Sequence, residues 1–284
     1  MKRRTITDWL IENGLCADKQ KATALLLTGK VLINNLPARS NSLVRPADEV
    51  RIKGQALPYA SKGGLKLAGA LSRFGLSPRG KTCLDAGAST GGFTDCLLKQ
   101  GATLVYAVDV GYGQLTGALR QNPRVINLER TNLSDSSLLS LSPRPEFATC
   151  DLSYLSLREA VPVYRRILKG EGELVALVKP LFEISDPEAR RTGQIAEEAY
   201  GPMLKDLIST FNRPDGTRVM GVCASPVTGN AGTVEFFLHI LFGGDGAPKD
   251  LAAAITSSVQ EALHTDIYKK AGDLTLGSAR LQMG

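Results

Sequence analysis

The sequence has few of the residues that build a metal centre, a disulfide framework or a membrane anchor. Its 284 residues contain five cysteines and two histidines, and no two cysteines have C-x-x-C spacing. We therefore expect free thiols in a reducing compartment and no metal site. No apolar run approaches the roughly 20 residues of a membrane span. Because the basic start Met1-Lys2-Arg3-Arg4 leads into mixed sequence, we predict a soluble, cytoplasmic protein without a signal peptide or a membrane partner.

Acidic residues are scarce near the amino terminus. Residues 1–58 hold ten Lys and Arg against five Asp and Glu, which leaves +5 of the chain's net charge of +6 in this segment. Such an asymmetry favours a polyanionic partner, most simply a nucleic acid. The alternative is a solvated basic surface with no partner.

The first 53 residues predict a small α+β domain. A short amphipathic helix is expected over 6–14, and Asp18 can cap a second helix that Gly29 stops. Short strands should follow at 31–33 and 49–52. Residues 54–58 look like a linker.

After residue 59 the pattern changes to long βα units, typical of a Rossmann-like, doubly wound parallel sheet. A helix over 64–74 precedes five expected strands, near 82–85, 103–109, 124–128, 146–151 and 172–178. Two more are expected near 217–224 and 232–240, and their connection is too short for a parallel crossover, so the last strand should be antiparallel. This domain would end at 244. Residues 245–284 add an expected helix over 251–268 and a tail without an assigned role.

A glycine-rich turn after the first of these strands predicts a ligand site. The segment Leu84-Asp85-Ala86-Gly87-Ala88-Ser89-Thr90-Gly91-Gly92 departs from the dinucleotide fingerprint, because Ser89 stands where a pyrophosphate needs glycine. Asp85 would repel phosphate but could face an ammonium group, and Asp109 ends the next strand, where acids accept ribose hydroxyls. S-adenosylmethionine has a nucleoside and an amino-acid cation but no phosphate, so it fits best. The alternative is a tight βα turn beside an exposed acid.

Two segments resemble known RNA-modifying proteins. Residues 3–53 resemble the S-four RNA-binding domain through Gly14-Leu15-Cys16-Ala17-Asp18, Lys21-Ala22 and Gly29-Lys30-Val31-Leu32-Ile33-Asn34. Residues 59–240 resemble the FtsJ/RrmJ-type 2′-O-methyltransferases through Ser61-Lys62-Gly63-Gly64-Leu65-Lys66, Cys150-Asp151-Leu152-Ser153, Leu177-Val178-Lys179-Pro180 and Val234-Glu235-Phe236-Phe237. Together they are similar to the TlyA (haemolysin A) family of rRNA ribose methyltransferases.

The resemblance implies a Lys-Asp-Lys-Glu catalytic tetrad, matched here by Lys66, Asp151, Lys179 and Glu235. A lysine can act as base toward a ribose hydroxyl if neighbouring cations and burial lower its pKa. We assign that role to Lys179, with Asp151 aligning it and facing the sulfonium methyl. Lys66 and Glu235 would orient the pair and the ribose.

The cofactor contacts expected for S-adenosylmethionine come from the glycine-rich turn and from the segments after the next two strands. They are Asp85, Gly87, Ser89, Gly91, Gly92, Phe93, Asp109, Val110, Thr131 and Asn132.

The RNA contacts are expected from basic residues of two segments. In the first domain they are Arg3, Arg4, Lys19, Lys30 and Arg39. The segment 181–196 departs from the family pattern, and as a loop over the crevice it would place Arg190 and Arg191 on phosphates. Glu183 and Asp186 would keep RNA off the wrong side. The alternative is a loop difference without consequence.

The leading hypothesis is an S-adenosylmethionine-dependent ribose 2′-O-methyltransferase acting on rRNA in ribosomal particles. The first alternative is a methyltransferase for another RNA or a small molecule. The second is a non-catalytic RNA-binding factor for ribosome assembly, which would have no need of Lys179 or Glu235.

Overall fold

The computed structural model describes residues 4–12, 16, 18–33, 36–44, 50–52, 58–212, 216–229, 232–243 and 250–265. Arg3, residues 54–57 of the expected linker and the tail beyond 265 lie outside the described residues. The chain divides into two compact units, one within Met1–Leu57 and one spanning Pro58–Thr265.

The first unit combines two short helices with short strands. Its elements are β1 (Arg4–Thr5), α1 (Ile6–Glu12), α2 (Lys19–Leu27), β2 (Val31–Ile33), β3 (Leu36–Pro37), β4 (Leu43–Val44) and β5 (Val50–Ile52). β1 pairs with β4, and the other three strands form an antiparallel sheet in the order β3-β2-β5. Asp18 caps α2 by accepting a hydrogen bond of 2.8 Å from the Lys21 amide, and Gly29 follows the helix with φ +65°. Ile6, Leu10 and other buried apolar side chains form a hydrophobic core within this unit.

The second unit alternates helices and strands. Its elements are α3 (Lys62–Phe74), β6 (Thr82–Ala86), α4 (Gly92–Lys99), β7 (Leu104–Asp109), α5 (Gly117–Arg120), β8 (Val125–Glu129), a 3₁₀ helix (Ser136–Ser140), β9 (Phe147–Cys150), α6 (Leu157–Ile167), β10 (Glu173–Val178), α7 (Pro180–Glu183), α8 (Pro187–Thr192), α9 (Glu197–Phe211), β11 (Thr217–Ala224), β12 (Phe236–Phe242) and α10 (Leu251–Leu263).

The seven strands form one sheet in the order β11-β12-β10-β9-β6-β7-β8. β12 runs antiparallel to β10 and β11, while the pairs from β10 to β8 are parallel. This confirms the doubly wound, Rossmann-like fold and the antiparallel last strand expected from the sequence. The strand order reverses between β6 and β9, and sheets of this kind open a ligand crevice at such a reversal, outside the carboxyl ends of the strands.

Alternating side chains of the central strands build a core on each face of the sheet. Leu84 and Leu174 pack on the face covered by α6, α9 and α10. Cys83 and Val175 pack on the face covered by α3 and α4. Because both faces are covered, these strands are almost wholly apolar, which is why their positions can be predicted from the sequence.

Two segments differ from expectation. The last strand begins at Phe236, so residues 232–235 precede it and Glu235 lies directly before the start of β12. The segment after Lys179 is not an open loop, because it forms α7 and α8. Asp186 caps α8 through the Glu188 amide, and Gly193 ends that helix with φ +73°. Within the described residues, no helix combines the length and the apolar character needed to cross a membrane.

Candidate active site

A crevice lies at the carboxyl ends of β6, β7, β9 and β10, and it has two adjoining chambers. Their volumes are about 190 and 370 Å³. Gly87, Ser89, Asp151 and Ser153 line both chambers. Together the chambers have the size of an ordinary small-molecule site, about 300–1,000 Å³.

The first chamber combines an acid with apolar walls. Asp109 ends β7, and its carboxylate accepts hydrogen bonds from the Ser89 amide at 2.8 Å and the Gly111 amide at 2.7 Å. Val108 and Leu133 are among the apolar residues that line this chamber. The chamber can therefore offer carboxylate oxygens to hydroxyl groups and apolar surface to a flat ring.

The glycine-rich turn brings backbone close to backbone. Gly87 has φ +82°, and a Cβ built there would lie 2.3 Å from the carbonyl oxygen of Asp151. Gly91, the residue directly before α4, has φ +98°, and an added Cβ would collide with Leu119. Of the two, only Gly87 lines the crevice, so the second shapes the turn from behind.

Asp85 lies away from the crevice, contrary to our expectation that it faces a ligand ammonium. Its side chain is fully buried and accepts hydrogen bonds from Thr94 at 2.6 Å and Thr149 at 2.9 Å. Burial raises the pKa of this carboxyl to about 6. Asp85 therefore joins β6 to α4 and β9 beneath the turn, and has no place among the residues that line the chambers.

The second chamber holds two ion pairs that differ in their exposure to solvent. Lys66 on α3 pairs with Glu235, and each side chain is only 6% exposed. Lys179, directly after β10, has its Nζ atom 2.6 Å from Oδ1 of Asp151, with exposures of 20% and 26%. All four residues line this chamber. The sequence-predicted tetrad is thus brought together, one pair buried and the other open to the crevice.

The position of Lys66 follows from how α3 begins. Ser61 caps the helix through the Gly63 amide, and Gly64 lies so close to Tyr59 that a Cβ would fall 2.2 Å from that side chain. The resulting rotation places Lys66 on the buried side of the helix, although a lysine on an amphipathic helix is usually solvated.

Burial shifts the pKa values of two residues that line the second chamber. Desolvation raises the pKa of Glu235, and the positive charge of Lys66 works against that rise. Lys62, which lines the same chamber, has its pKa lowered by burial and by the nearby charge of Lys66.

Several lining residues were not predicted as site residues, although most of them lie inside the motifs already recognised. They include Ser61, Lys62 and Ser153, and the Ser153 hydroxyl accepts a hydrogen bond of 2.7 Å from Nζ of Lys179. Gln114 and Tyr154 line the first chamber and belong to none of these motifs.

Of the remaining predicted cofactor residues, four line a chamber and one does not. Val110 and Thr131 line the first chamber, and Gly92 and Phe93 line the second. Asn132 does not line either chamber, because its side chain accepts hydrogen bonds from Ser134 in an exposed turn.

The predicted RNA contacts lie on exposed surface where they are described. In the first unit these are Arg4, Lys19, Lys30 and Arg39, and in the second they are Arg190 and Arg191. Glu183 is different, because it is 5% exposed and accepts hydrogen bonds of 2.7 Å from Ser156 and from the Leu157 amide. The expectation that it repels RNA is therefore wrong. Glu183 instead attaches α7 to the start of α6.

The chain matches known proteins along most of its length. Residues 59–242 match the family model described as FtsJ-like methyltransferase. YqxC of Bacillus subtilis (strain 168), provisionally named an rRNA methyltransferase, is 37% identical over 282 aligned residues, covering 96% of this chain and 98% of that protein. The 16S/23S rRNA (cytidine-2'-O)-methyltransferase TlyA of Mycobacterium tuberculosis (strain ATCC 25618 / H37Rv) is 37% identical over 275 aligned residues, covering 92% and 99%. A solved structure from Streptococcus thermophilus, provisionally named a hemolysin, is 33% identical with a TM-score of 0.67, covering 93% and 96%.

Proposed function

The chain belongs to the FtsJ-like methyltransferase family, and from that membership we propose that it transfers a methyl group from S-adenosylmethionine to a ribose 2′-hydroxyl of rRNA. The resemblance to the TlyA family expected from the sequence is confirmed by relatives of 37% identity over nearly the whole chain. The observation that carries the proposal is the second chamber, where Lys66, Asp151, Lys179 and Glu235 meet beside a chamber suited to a nucleoside.

The residues of the crevice fit S-adenosylmethionine. Each Asp109 oxygen has a lone pair left after its backbone contact, and these can accept ribose hydroxyls. The apolar side chains of Val110 and Leu133 suit the adenine ring. Asp151 lines both chambers, so its carboxylate adds negative charge where the cationic part of the ligand would lie.

Lys179 is the base of the proposed reaction. Lys179 first releases to solvent the proton that it holds in its ion pair with Asp151. Its neutral Nζ atom then takes the proton of the ribose 2′-hydroxyl, and the ribose oxygen keeps the electron pair that forms the new bond to carbon. When bound, S-adenosylmethionine supplies the methyl group on a positively charged sulfur, which leaves with the electron pair of the broken bond. Asp151 holds the Lys179 side chain at the edge of the crevice through their ion pair of 2.6 Å.

Lys66 and Glu235 form the fixed wall against which the ribose is placed. Both are buried, and a buried ion pair keeps its geometry because separating the charges costs several kcal/mol. A displacement of this kind depends mainly on positioning of the reacting atoms. The pair therefore contributes through orientation of the ribose and of Lys179.

We assign the capture of RNA to the first unit. Residues 1–53 form the docking domain, 54–58 the linker and 59–244 the methyltransferase domain, while 245–284 is an extension without an assigned role. Lys19 is 79% exposed, and Arg39 and Lys30 are also exposed in this unit. Each phosphate contact should add about 0.7–0.9 to the slope of binding against salt. Residues 59–284 alone should then fold but methylate the RNA poorly, and full activity of that fragment would remove the docking role.

The decisive experiment measures methyl transfer from labelled S-adenosylmethionine to rRNA purified from cells that lack the protein, with the 2′-O-methyl sites mapped afterwards. Lys179→Ala and Asp151→Ala should each lower the rate by about 10²–10⁴-fold, as loss of a positioned base does. Lys169→Ala is the matched control, because this exposed lysine pairs with Glu146 at the opposite end of β10. Methylation on a base, or none on RNA, would overturn the proposal, and near-normal turnover by either folded variant would overturn the mechanism.

A further inference from the structure

We propose that Ser153 is a positioning residue of methyl transfer, which sets the direction in which Lys179 presents its amine lone pair. The inference rests on the proposed function. Ser153 lies in the segment between β9 and α6 and lines both chambers of the crevice. Its hydroxyl oxygen accepts a hydrogen bond of 2.7 Å from Nζ of Lys179.

The two partners of Lys179 act on it in different ways. Asp151 Oδ1 lies 2.6 Å from Nζ, yet no donor among the described residues is aligned with this oxygen for a hydrogen bond. The contact is therefore an attraction between charges, which fixes a distance and leaves rotation about the Cε–Nζ bond free. The Ser153 contact meets the geometric requirements of a hydrogen bond, and a hydrogen bond is directional. Ser153 thus supplies the orientation that Asp151 does not.

Orientation matters because a base acts through its lone pair. An unprotonated amine has two N–H bonds and one lone pair arranged tetrahedrally around nitrogen. When one N–H of the neutral amine points to Ser153, rotation about the Cε–Nζ bond is restricted, and the lone pair is confined to the two remaining directions. Because Lys179 lines the same chamber as Lys66 and Glu235, a lone pair restricted in this way can be presented to a ribose placed there.

The backbone around Ser153 is held firmly enough for this role. The Asp151 amide donates to the Ala86 carbonyl at 3.0 Å. On the other side, the buried carboxylate of Glu183 accepts from the Leu157 amide and from Ser156. Glu183 belongs to α7, which starts directly after Lys179. The segment that carries Ser153 and the strand end that carries Lys179 are therefore joined by Glu183, by the Asp151–Lys179 ion pair and by the Ser153–Lys179 hydrogen bond.

The proposal separates Ser153→Ala from Ser153→Thr. Alanine removes the acceptor, while threonine keeps a hydroxyl at the same Cβ. With rRNA and saturating S-adenosylmethionine, the single-turnover rate of Ser153→Ala should fall by about 10- to 100-fold, because small misplacements of reacting groups cost that much. The affinities for S-adenosylmethionine and for rRNA should stay at their wild-type values, and Ser153→Thr should recover most of the rate. Ser209→Ala, an exposed serine on α9 that donates to the Asp206 carbonyl, is the control.

Three results would overturn the inference. They are an unchanged single-turnover rate in Ser153→Ala, a fall in cofactor affinity that accounts for the lower rate, and failure of Ser153→Thr to recover it. Failure of the proposed function gives a distinguishable result, because the wild-type protein would then not methylate rRNA. In that case the inference fails with it.

Discussion

Asp109 holds the glycine-rich turn in place through Ser89. The Ser89 amide donates to Oδ2 of Asp109 at 2.8 Å, and Ser89 has φ +48°, a left-handed conformation that is uncommon outside glycine. The other oxygen of the same carboxylate accepts from the Gly111 amide. One side chain therefore fixes the turn after β6 and the segment after β7, in addition to any contact with a ligand.

We predict that Asp109→Ala weakens S-adenosylmethionine binding at least tenfold and also destabilises the protein without ligand. Two hydrogen bonds to a charged acceptor contribute roughly 1.5–3 kcal/mol each, whether the donors are ribose hydroxyls or backbone amides. The loss of stability follows from the two amide contacts, which the carboxylate makes without any ligand. Calorimetric titration measures the first effect and thermal unfolding the second. Unchanged affinity would remove Asp109 from the cofactor site.

Ser89→Gly supplies the matched comparison. Glycine adopts φ +48° without strain and keeps the amide that donates to Asp109. This variant should bind S-adenosylmethionine nearly as well as the wild type. If Ser89→Gly loses as much affinity as Asp109→Ala, the Ser89 side chain, which lines both chambers, contributes as much to binding as the carboxylate does.

The sequence predicts those parts of the fold and site that depend on neighbours along the chain. The buried strands β6, β9 and β10 are apolar runs bounded by turn residues, so their order and direction can be inferred. Asp109 and Lys179 can be placed because Asp109 ends the buried strand β7 and Lys179 follows β10, and their functional roles stay predictions.

The sequence does not predict what depends on contacts between distant segments. Lys66 and Glu235 are 169 residues apart, and only their shared match to a family motif suggests that they meet. The sequence neighbours of Asp85 and Glu183 do not indicate that Thr149 or the start of α6 would bury these acids. Charged residues are seldom fully buried without partners, so sequence patterns place them on the surface by default.

The buried pair Lys66–Glu235 should couple stability to activity. Lys66→Met leaves a buried carboxylate unpaired and should cost about 3–5 kcal/mol of unfolding free energy, and Glu235→Leu should cost a similar amount. In Lys66→Met/Glu235→Leu both charges are gone, so we expect a loss of stability smaller than that of either single variant. Denaturant unfolding measures the three values, and all three variants should be inactive. Additive losses would show that the two residues do not interact, and activity in the double variant would remove them from the reaction.

Asp85 should make the stability fall as the pH rises from about 4 to 6. Its pKa is about 6 in the folded protein against 3.8 for an ordinary aspartate. Between these values the folded state keeps a proton that the unfolded chain has released, so the folded state is favoured at the lower pH and this advantage is gone above pH 6. The difference amounts to at most about 3 kcal/mol. Asp85→Asn carries no charge, so its stability relative to the wild type should increase across this window.

Glu173 provides the control of opposite sign for that experiment. The His239 ring, whose Nε2 atom lies 3.3 Å from Oε1 of Glu173, and the ion pair with Lys81 lower the pKa of Glu173 to about 2. This carboxylate therefore stabilises the fold above the ordinary glutamate pKa, and the stabilisation disappears as the pH falls toward 2. Glu173→Gln should lose stability relative to the wild type at neutral pH and recover it in acid. If Asp85→Asn shows the same slope as Glu173→Gln, the assignment of Asp85 is wrong.

Glu183 should affect both folding and catalysis, although it lies outside the crevice. Glu183→Gln turns one acceptor into a donor, so either Ser156 or the Leu157 amide loses its partner, at a cost of about 1.5–3 kcal/mol. Because Glu183 joins α7 to α6, the rate of methyl transfer should fall while S-adenosylmethionine affinity is retained. Glu188→Gln is the matched control, since this exposed glutamate on α8 pairs only locally with Arg191. Equal stability of the two variants would contradict the role of Glu183.

Arg190 and Arg191 test whether α8 binds RNA. Both are exposed, Arg191 pairs with Glu188, and Nε of Arg190 donates to the Ile184 carbonyl. Replacing both by alanine should weaken RNA binding and lower the salt slope by about 0.7–0.9 for each arginine that neutralises a phosphate. The affinity for S-adenosylmethionine should not change, because neither arginine lines a chamber.

The control for α8 removes the same charge from the other end of the sheet. Arg79 and Lys169 are exposed and precede β6 and β10, whose carboxyl ends form the crevice. Arg79→Ala/Lys169→Ala therefore lowers the net charge by the same amount as Arg190→Ala/Arg191→Ala, but away from the site. If α8 binds the RNA directly, Arg190→Ala/Arg191→Ala loses affinity and activity and the control variant does not. Direct binding depends on where the charge lies. If both variants weaken binding equally, the effect is a general electrostatic one, and α8 has no specific role in recognition.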